Sequence, residues 1–110
     1  MSLRGEQVIV VRSFRGVPVR LTRERWGHIL ARHQEMRDQK EKVLETISSP
    51  DVVQTGDFDA LMAARRYSKT PLTEKLLVVV YRELGHADGF VLTAYFTNEL
   101  SKRRQTIWRR

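Results

Sequence analysis

Two imidazoles and a guanidinium fall within about two helical turns in Trp26-Gly27-His28-Ile29-Leu30-Ala31-Arg32-His33. At helical spacing His28 and Arg32 are i,i+4 neighbours on one face, while His33 shares an apolar stripe with Trp26 and Leu30. The two histidines are therefore expected in different environments. Imidazole exchanges protons near neutral pH without large tuning, so the pair is suited to act as acid and base in one reaction. The competing readings are a solvated cationic face for His28 and Arg32, and a half-buried, carbonyl-bonded core position for His33.

A second group lies on a strand. In Phe90 to Thr97, strict alternation sends Phe90, Leu92, Ala94 and Phe96 one way and Val91, Thr93, Tyr95 and Thr97 the other. Arg65 and Tyr67 alternate likewise within Leu61 to Ser68. Hydroxyls and guanidinium groups are what a site needs to hold a phosphodiester and neutralise charge that gathers on it. The plain alternative is a solvent-facing sheet surface, where Thr and Tyr are favoured by strand propensity. Two basic clusters with aromatics nearby, Arg65-Arg66-Tyr67 with Lys69 and Lys102-Arg103-Arg104 with Trp108, are suited to track a nucleic-acid backbone and stack a base. A charged tail is otherwise simply solvated, and His86, in a glycine-bounded turn, reads as a loop residue.

The elements that must position these groups read as an α+β domain spanning 1–110. Gln7 to Arg12 and Val17 to Leu21 form an N-terminal hairpin about Ser13 to Gly16, and Thr22 is an N-cap for a helix over Arg23 to Glu35. A second helix is expected from Met36 or Arg37 to Ile47, stopped by Pro50. Strands follow at Asp51 to Gln54, Leu61 to Ser68, Lys75 to Glu83 and Phe90 to Thr97, and Ile107 and Trp108 anchor a last short one. Gly56 to Asp59 is a turn, Lys69 to Thr73 a loop, and Leu84 to Gly89 the connection of a hairpin.

Composition narrows the partner class. Twenty Lys plus Arg against thirteen Asp plus Glu leave a formal net charge of +7, which favours polyanions through phosphate neutralisation and counterion release. No run reaches the ~20 apolar residues of a membrane helix, and Met1 to Gln7, with Arg4 and Glu6, lacks the apolar stretch of a secretory signal. The absence of cysteine excludes disulfides and thiolate metal sites and agrees with a reducing cytoplasm, and three histidines are a poor zinc set. No Gly-rich phosphate loop, nucleophile elbow or metal-ligand spacing is present, so no metal and no cofactor are expected. Chemistry, if any, is general acid-base with cationic support.

Leu21-Thr22 through Glu35, then Val43 to Thr46, Ser49 to Val53, Leu77 to Val80 and Phe90 to Thr97 resemble the phage-associated branch of the Barnase, EndoU, colicin and RelE-like nuclease superfamily. The resemblance covers roughly Val17 to Trp108, and its most specific part is W-x-H-I-x-x-R-H with a later T-A-Y-x-T. It implies two N-terminal-half helices packed on an antiparallel sheet of about four strands. The active site would lie on the sheet face, framed by the first helical region. His28, Arg32 and His33 match the helical motif, and Thr93 and Tyr95 the strand motif. The implied activity is metal-independent RNA cleavage, commonly by a toxin or phage effector, with RNA as substrate and an antitoxin-like inhibitor as a further partner. A base such as His28 or His33 would take the ribose 2′-hydroxyl proton, and the other group would protonate the departing 5′-oxygen. Arg32 and Arg65 would stabilise the phosphorane, and Thr93 and Tyr95 would orient the phosphate. The barnase-type glutamate base has no fixed counterpart; Glu24, Glu35 and Glu83 are the nearest carboxylates. A non-catalytic module that holds RNA or an acidic partner is the alternative.

Overall fold

The computed structural model describes residues 8–110; Met1 to Gln7, including the expected start of the hairpin at Gln7, lie outside the described residues. Strands β1 (Val8–Arg12) and β2 (Pro18–Thr22) form an antiparallel hairpin whose turn uses Gly16 at φ 83°, left-handed backbone that glycine adopts without steric cost. The Thr22 hydroxyl accepts from the Arg25 N–H at 3.0 Å, capping helix α1 (Arg23–Arg32) as its residue type demands. Helix α1 stops at His33, whose φ of −133° and ψ of 80° leave helical space, so it is shorter than its expected reach to Glu35. One 3₁₀ turn, Gln34–Met36, and the left-handed Asp38 separate it from α2 (Lys40–Ser48), which starts later than its apolar pattern suggests.

Strands β3 (Val52–Thr55), β4 (Leu61–Tyr67), β5 (Lys75–Glu83), β6 (Gly89–Thr97) and β7 (Thr106–Arg109) complete one seven-stranded sheet in the order β1-β2-β6-β5-β4-β3-β7. The α+β class is as expected, but an antiparallel sheet of about four strands undercounts it: β2 lies parallel to β6 at Arg20 and Phe90, making the sheet mixed. The joins of β2 to β6 and of β7 to β3 are pairings between distant segments, which local periodicity does not encode. The join at β6 needs Gly89, where a Cβ would lie 2.6 Å from the Arg82 carbonyl oxygen and 3.2 Å from that of Pro18.

The two faces of the sheet differ. Both helices pack on one, burying Val19, Leu21, Ile29, Val43, Ile47, Val53, Leu77, Val79 and Tyr81 in the main core. On that side Phe14, from the β1–β2 turn, meets Trp108 of β7 with ring centroids 5.5 Å apart, so the two ends of the sheet curl toward each other. The opposite face carries a smaller apolar set, Val52, Ala64 and Val78, with Met62, Val80, Tyr95 and Leu100 beside them. Leu100 belongs to the crossing that links β6 to β7, so this segment covers part of the open face.

Strict alternation along β6 fails at one point. Val80 pairs with Thr93 but Tyr81 pairs with Val91, which makes Leu92 an extra residue on β6. Val91 therefore joins Ala94 and Phe96 on the helix side instead of sharing a face with Thr93 and Tyr95. The hydroxyls of Thr93 and Tyr95 keep the open side.

Candidate functional site

Helix α1 leaves β2 directly and packs beside β6, which sets its cationic stripe against the middle of that strand. Arg25, His28, Arg32 and His33 face Leu92 and Thr93 around a hollow of about 440 Å³ backed by Ile29. Positions 25, 28 and 32 fall on one face because the helix repeats every 3.6 residues. The carbonyl of Leu92, the extra residue, accepts from Arg25 Nη1 at 3.5 Å and links helix to strand. His28 and Arg32 are exposed and, among the described residues, make no hydrogen bond or ion pair.

His33 stands where the helix ends, its N–H bonded to the Ile29 carbonyl at 2.8 Å. Its ring lies 5.9 Å from the Tyr95 ring, tilted by 34°, and its Nδ1 is 3.7 Å from Glu35 Oε2. Glu35 thus sets a carboxylate on the Nδ1 side of this imidazole. Of the three carboxylates considered for the base, Glu35 is the one at this site. Glu83 accepts from the Ser13 hydroxyl at 2.6 Å, and Glu24 is exposed in the first turn of α1.

Burial pushes the Tyr95 phenol above its ordinary value, and the positive charge of Arg104 opposes the shift. Arg104 is itself held by Asp57, to whose Oδ1 its Nη1 donates at 2.8 Å, a bond that keeps the Asp57 carboxyl below the usual carboxylate range. The open face continues beyond Tyr95. A hollow of about 330 Å³ includes Tyr95 and Thr97 in its lining, and another of about 630 Å³ is edged by Arg66, Lys102, Arg104 and Arg109.

The site thus gathers His28, Arg32, His33 and Thr93 around one hollow, with Tyr95 outside its lining but next to His33, and sets Thr97, Arg66, Lys102 and Arg104 around the two neighbouring hollows. Arg65 and Tyr67 do not join them. Odd positions of β4 point to the helix side, where Arg65 Nη1 donates to the Ser49 carbonyl at 2.6 Å and its Nη2 lies 3.8 Å from Glu45 Oε2. The Tyr67 hydroxyl donates to Glu45 Oε1 at 2.9 Å and lies 3.1 Å from the Thr46 hydroxyl. Burial pushes that phenol up to about 12. Lys69 and Arg103 are exposed and line none of these three hollows. His86 is exposed in the β5–β6 connection.

Three contributors were not singled out by residue type. Arg25 was legible, since it precedes His28 by one helical step. Gln54 and Asp57 were not: Gln54 Nε2 donates to the Ser101 carbonyl at 3.0 Å across 47 residues, and Asp57 meets Arg104 across the same separation. Among the described residues no group of three His or carboxylate side chains is placed to hold a metal ion, and no helix is long and apolar enough to cross a membrane. No family model, curated protein or solved structure matches the chain.

Proposed function

We propose that the chain is a metal-independent endoribonuclease that cleaves RNA by acid-base transesterification at the hollow between α1 and β6. The observation that carries this reading is the joint lining of one hollow by two imidazoles, the Arg32 guanidinium and the Thr93 hydroxyl. In this scheme His33, with Glu35 beside Nδ1, takes the 2′-hydroxyl proton through Nε2 as that oxygen attacks the adjacent phosphorus. The 5′-oxygen leaves, protonated by His28, and the RNA ends in a 2′,3′-cyclic phosphate. Arg32 and Arg25 neutralise charge on the phosphorane, and Thr93 donates to a phosphate oxygen. The motif resemblance to the phage-associated Barnase, EndoU, colicin and RelE-like nucleases supports the same reaction class, and the net charge of +7 supports a polyanionic substrate.

The purified protein is expected to cleave single-stranded RNA in EDTA and to leave cyclic-phosphate ends. His28→Ala and His33→Ala should each slow cleavage by about 10²–10⁴-fold. Full activity in both variants would remove the imidazoles from the chemistry. The cationic hollow edged by Arg66, Lys102 and Arg109 favours a second reading, a non-catalytic RNA-binding module. Steeply salt-dependent RNA affinity without turnover would decide for it.

A further inference from the structure

The 330 Å³ hollow beside Tyr95 has the make-up of a small planar-ligand site. Met62, Ala64 and Val78 form an apolar floor, and Tyr95 and Leu100 stand beside it. Among the polar groups of this lining, which include Thr97 and Ser101, Gln54 is the most buried, only 5% exposed although it carries an amide. Its Nε2 is engaged by the Ser101 carbonyl, which fixes the orientation of the amide, and its Oε1 has no hydrogen-bond partner among the described residues. The buried side-chain atom without a partner among the described residues is Tyr81 Oη, not Gln54 Oε1, so the Gln54 oxygen is an acceptor open to whatever occupies the hollow. Glu99, on the rim, adds a carboxylate, a second acceptor. The dimensions are at the lower end for small-molecule sites and suit one ring system resting on apolar side chains.

Tyr95 connects this hollow to the proposed reaction site, since the same ring borders the hollow and neighbours His33. A nucleotide with its base on the Met62–Val78 floor would carry its phosphate past Tyr95 toward His33 and Thr93. Arg104 and Arg66 beyond the hollow suit the polyanionic backbone on the other side. We infer that this hollow is a base-selecting subsite for single-stranded RNA, in which Gln54 Oε1 accepts a hydrogen from an exocyclic amino group. It rests on the ribonuclease reading for the class of ligand. Amino-bearing bases are favoured and uracil is disfavoured, because its O4 would set one acceptor against another. Cytosine and uracil make the sharpest comparison, being alike in size and differing at position 4.

The test is titration of the intact protein with 3′-CMP and 3′-UMP, reading affinity by calorimetry and the Gln54 side-chain amide by NMR. Cytosine should bind about tenfold tighter than uracil, the scale of one well-made hydrogen bond, and should shift the Gln54 signals. Gln54→Met should bring the two affinities within about twofold of each other. The 3′-phosphate of the 2-pyrimidinone riboside, which lacks the amino group, tests the same contact on the unaltered protein and should bind about tenfold more weakly than 3′-CMP. Equal affinity for 3′-CMP and 3′-UMP, or a cytosine preference that survives Gln54→Met, would overturn the proposal. These ligands are not cleaved, so the outcome is independent of turnover. Cytosine preference without RNA cleavage sinks the nuclease and spares the subsite, and cleavage without base preference does the reverse.

Discussion

The hollow at α1 and β6 and the corner where α2 meets β4 are built from similar residues and end in opposite conditions. Each combines arginine with tyrosine and a nearby glutamate. At the α2 corner those groups satisfy one another: Arg65 is bonded to the Ser49 carbonyl and paired with Glu45, and Tyr67 reaches Glu45, Thr46 and the Lys42 carbonyl. At the α1 hollow, His28 and Arg32 face solvent without partners among the described residues. Residue type therefore does not mark the site. What distinguishes it is charge and hydrogen-bonding capacity that the fold leaves open, while the α2 corner turns the same chemistry into cohesion.

Exchanging arginines is the sharpest way to break this contrast. Arg32→Ala should slow RNA cleavage by about 10²-fold while shifting stability by no more than about 0.5 kcal/mol, since the side chain is exposed and unpaired. Arg65→Ala should do the reverse, holding the cleavage rate and costing about 1 kcal/mol in urea unfolding through its carbonyl bond and ion pair. Equal rate losses in the two variants would erase the distinction. Next in size is Tyr67→Phe, which leaves the Thr46 hydroxyl and the Glu45 carboxylate without the phenol and should cost about 1 kcal/mol or less. The same residue shapes alkaline behaviour. Its folded value of about 12 exceeds the unfolded value near 10, so its contribution is complete below pH ~10 and is lost as pH rises toward 12. In the Phe variant that loss is absent from a pH-dependent stability profile.

The smallest effect is expected at Asp57. Its carboxyl is lowered by Arg104, so the stability it contributes is present above the ordinary carboxylate value near ~3.9 and fades as pH falls through the lower folded one. Asp57→Asn should flatten that acid slope slightly, an effect that high salt also removes. An unchanged slope at low salt would mean that Asp57 does not hold Arg104 in solution.

Much of this arrangement was readable from local pattern. The Thr22 cap, the Gly16 turn and the apolar spacing of Ile29, Val43 and Ile47 follow from rules that operate within a few residues. So does the stripe that carries His28 and Arg32. What escaped reading depends on distant partners. The parallel contact between Arg20 and Phe90 is made by strands 70 positions apart, and β7 finds β3 only after the chain has crossed the open face. Alternation puts Arg65 and Arg66 on opposite faces, and the expectation that Arg65 shares the face of Thr93 and Tyr95 fails because only the pairing of β4 with β3 and β5 decides which of the two meets α2. The extra residue at Leu92 is likewise a mismatch between two strands, invisible in β6 alone.

That mismatch separates two kinds of heritable change. Deleting Leu92 would leave Val91, Ala94 and Phe96 inward and Thr93 and Tyr95 outward, so the hydrophobic lattice of the sheet tolerates the shortened strand. The same deletion removes the carbonyl that anchors Arg25 and draws Thr93 out of step with α1. At this position a single-codon loss is expected to keep the inward set of the sheet and to undo the mouth of the hollow, so the two can change separately.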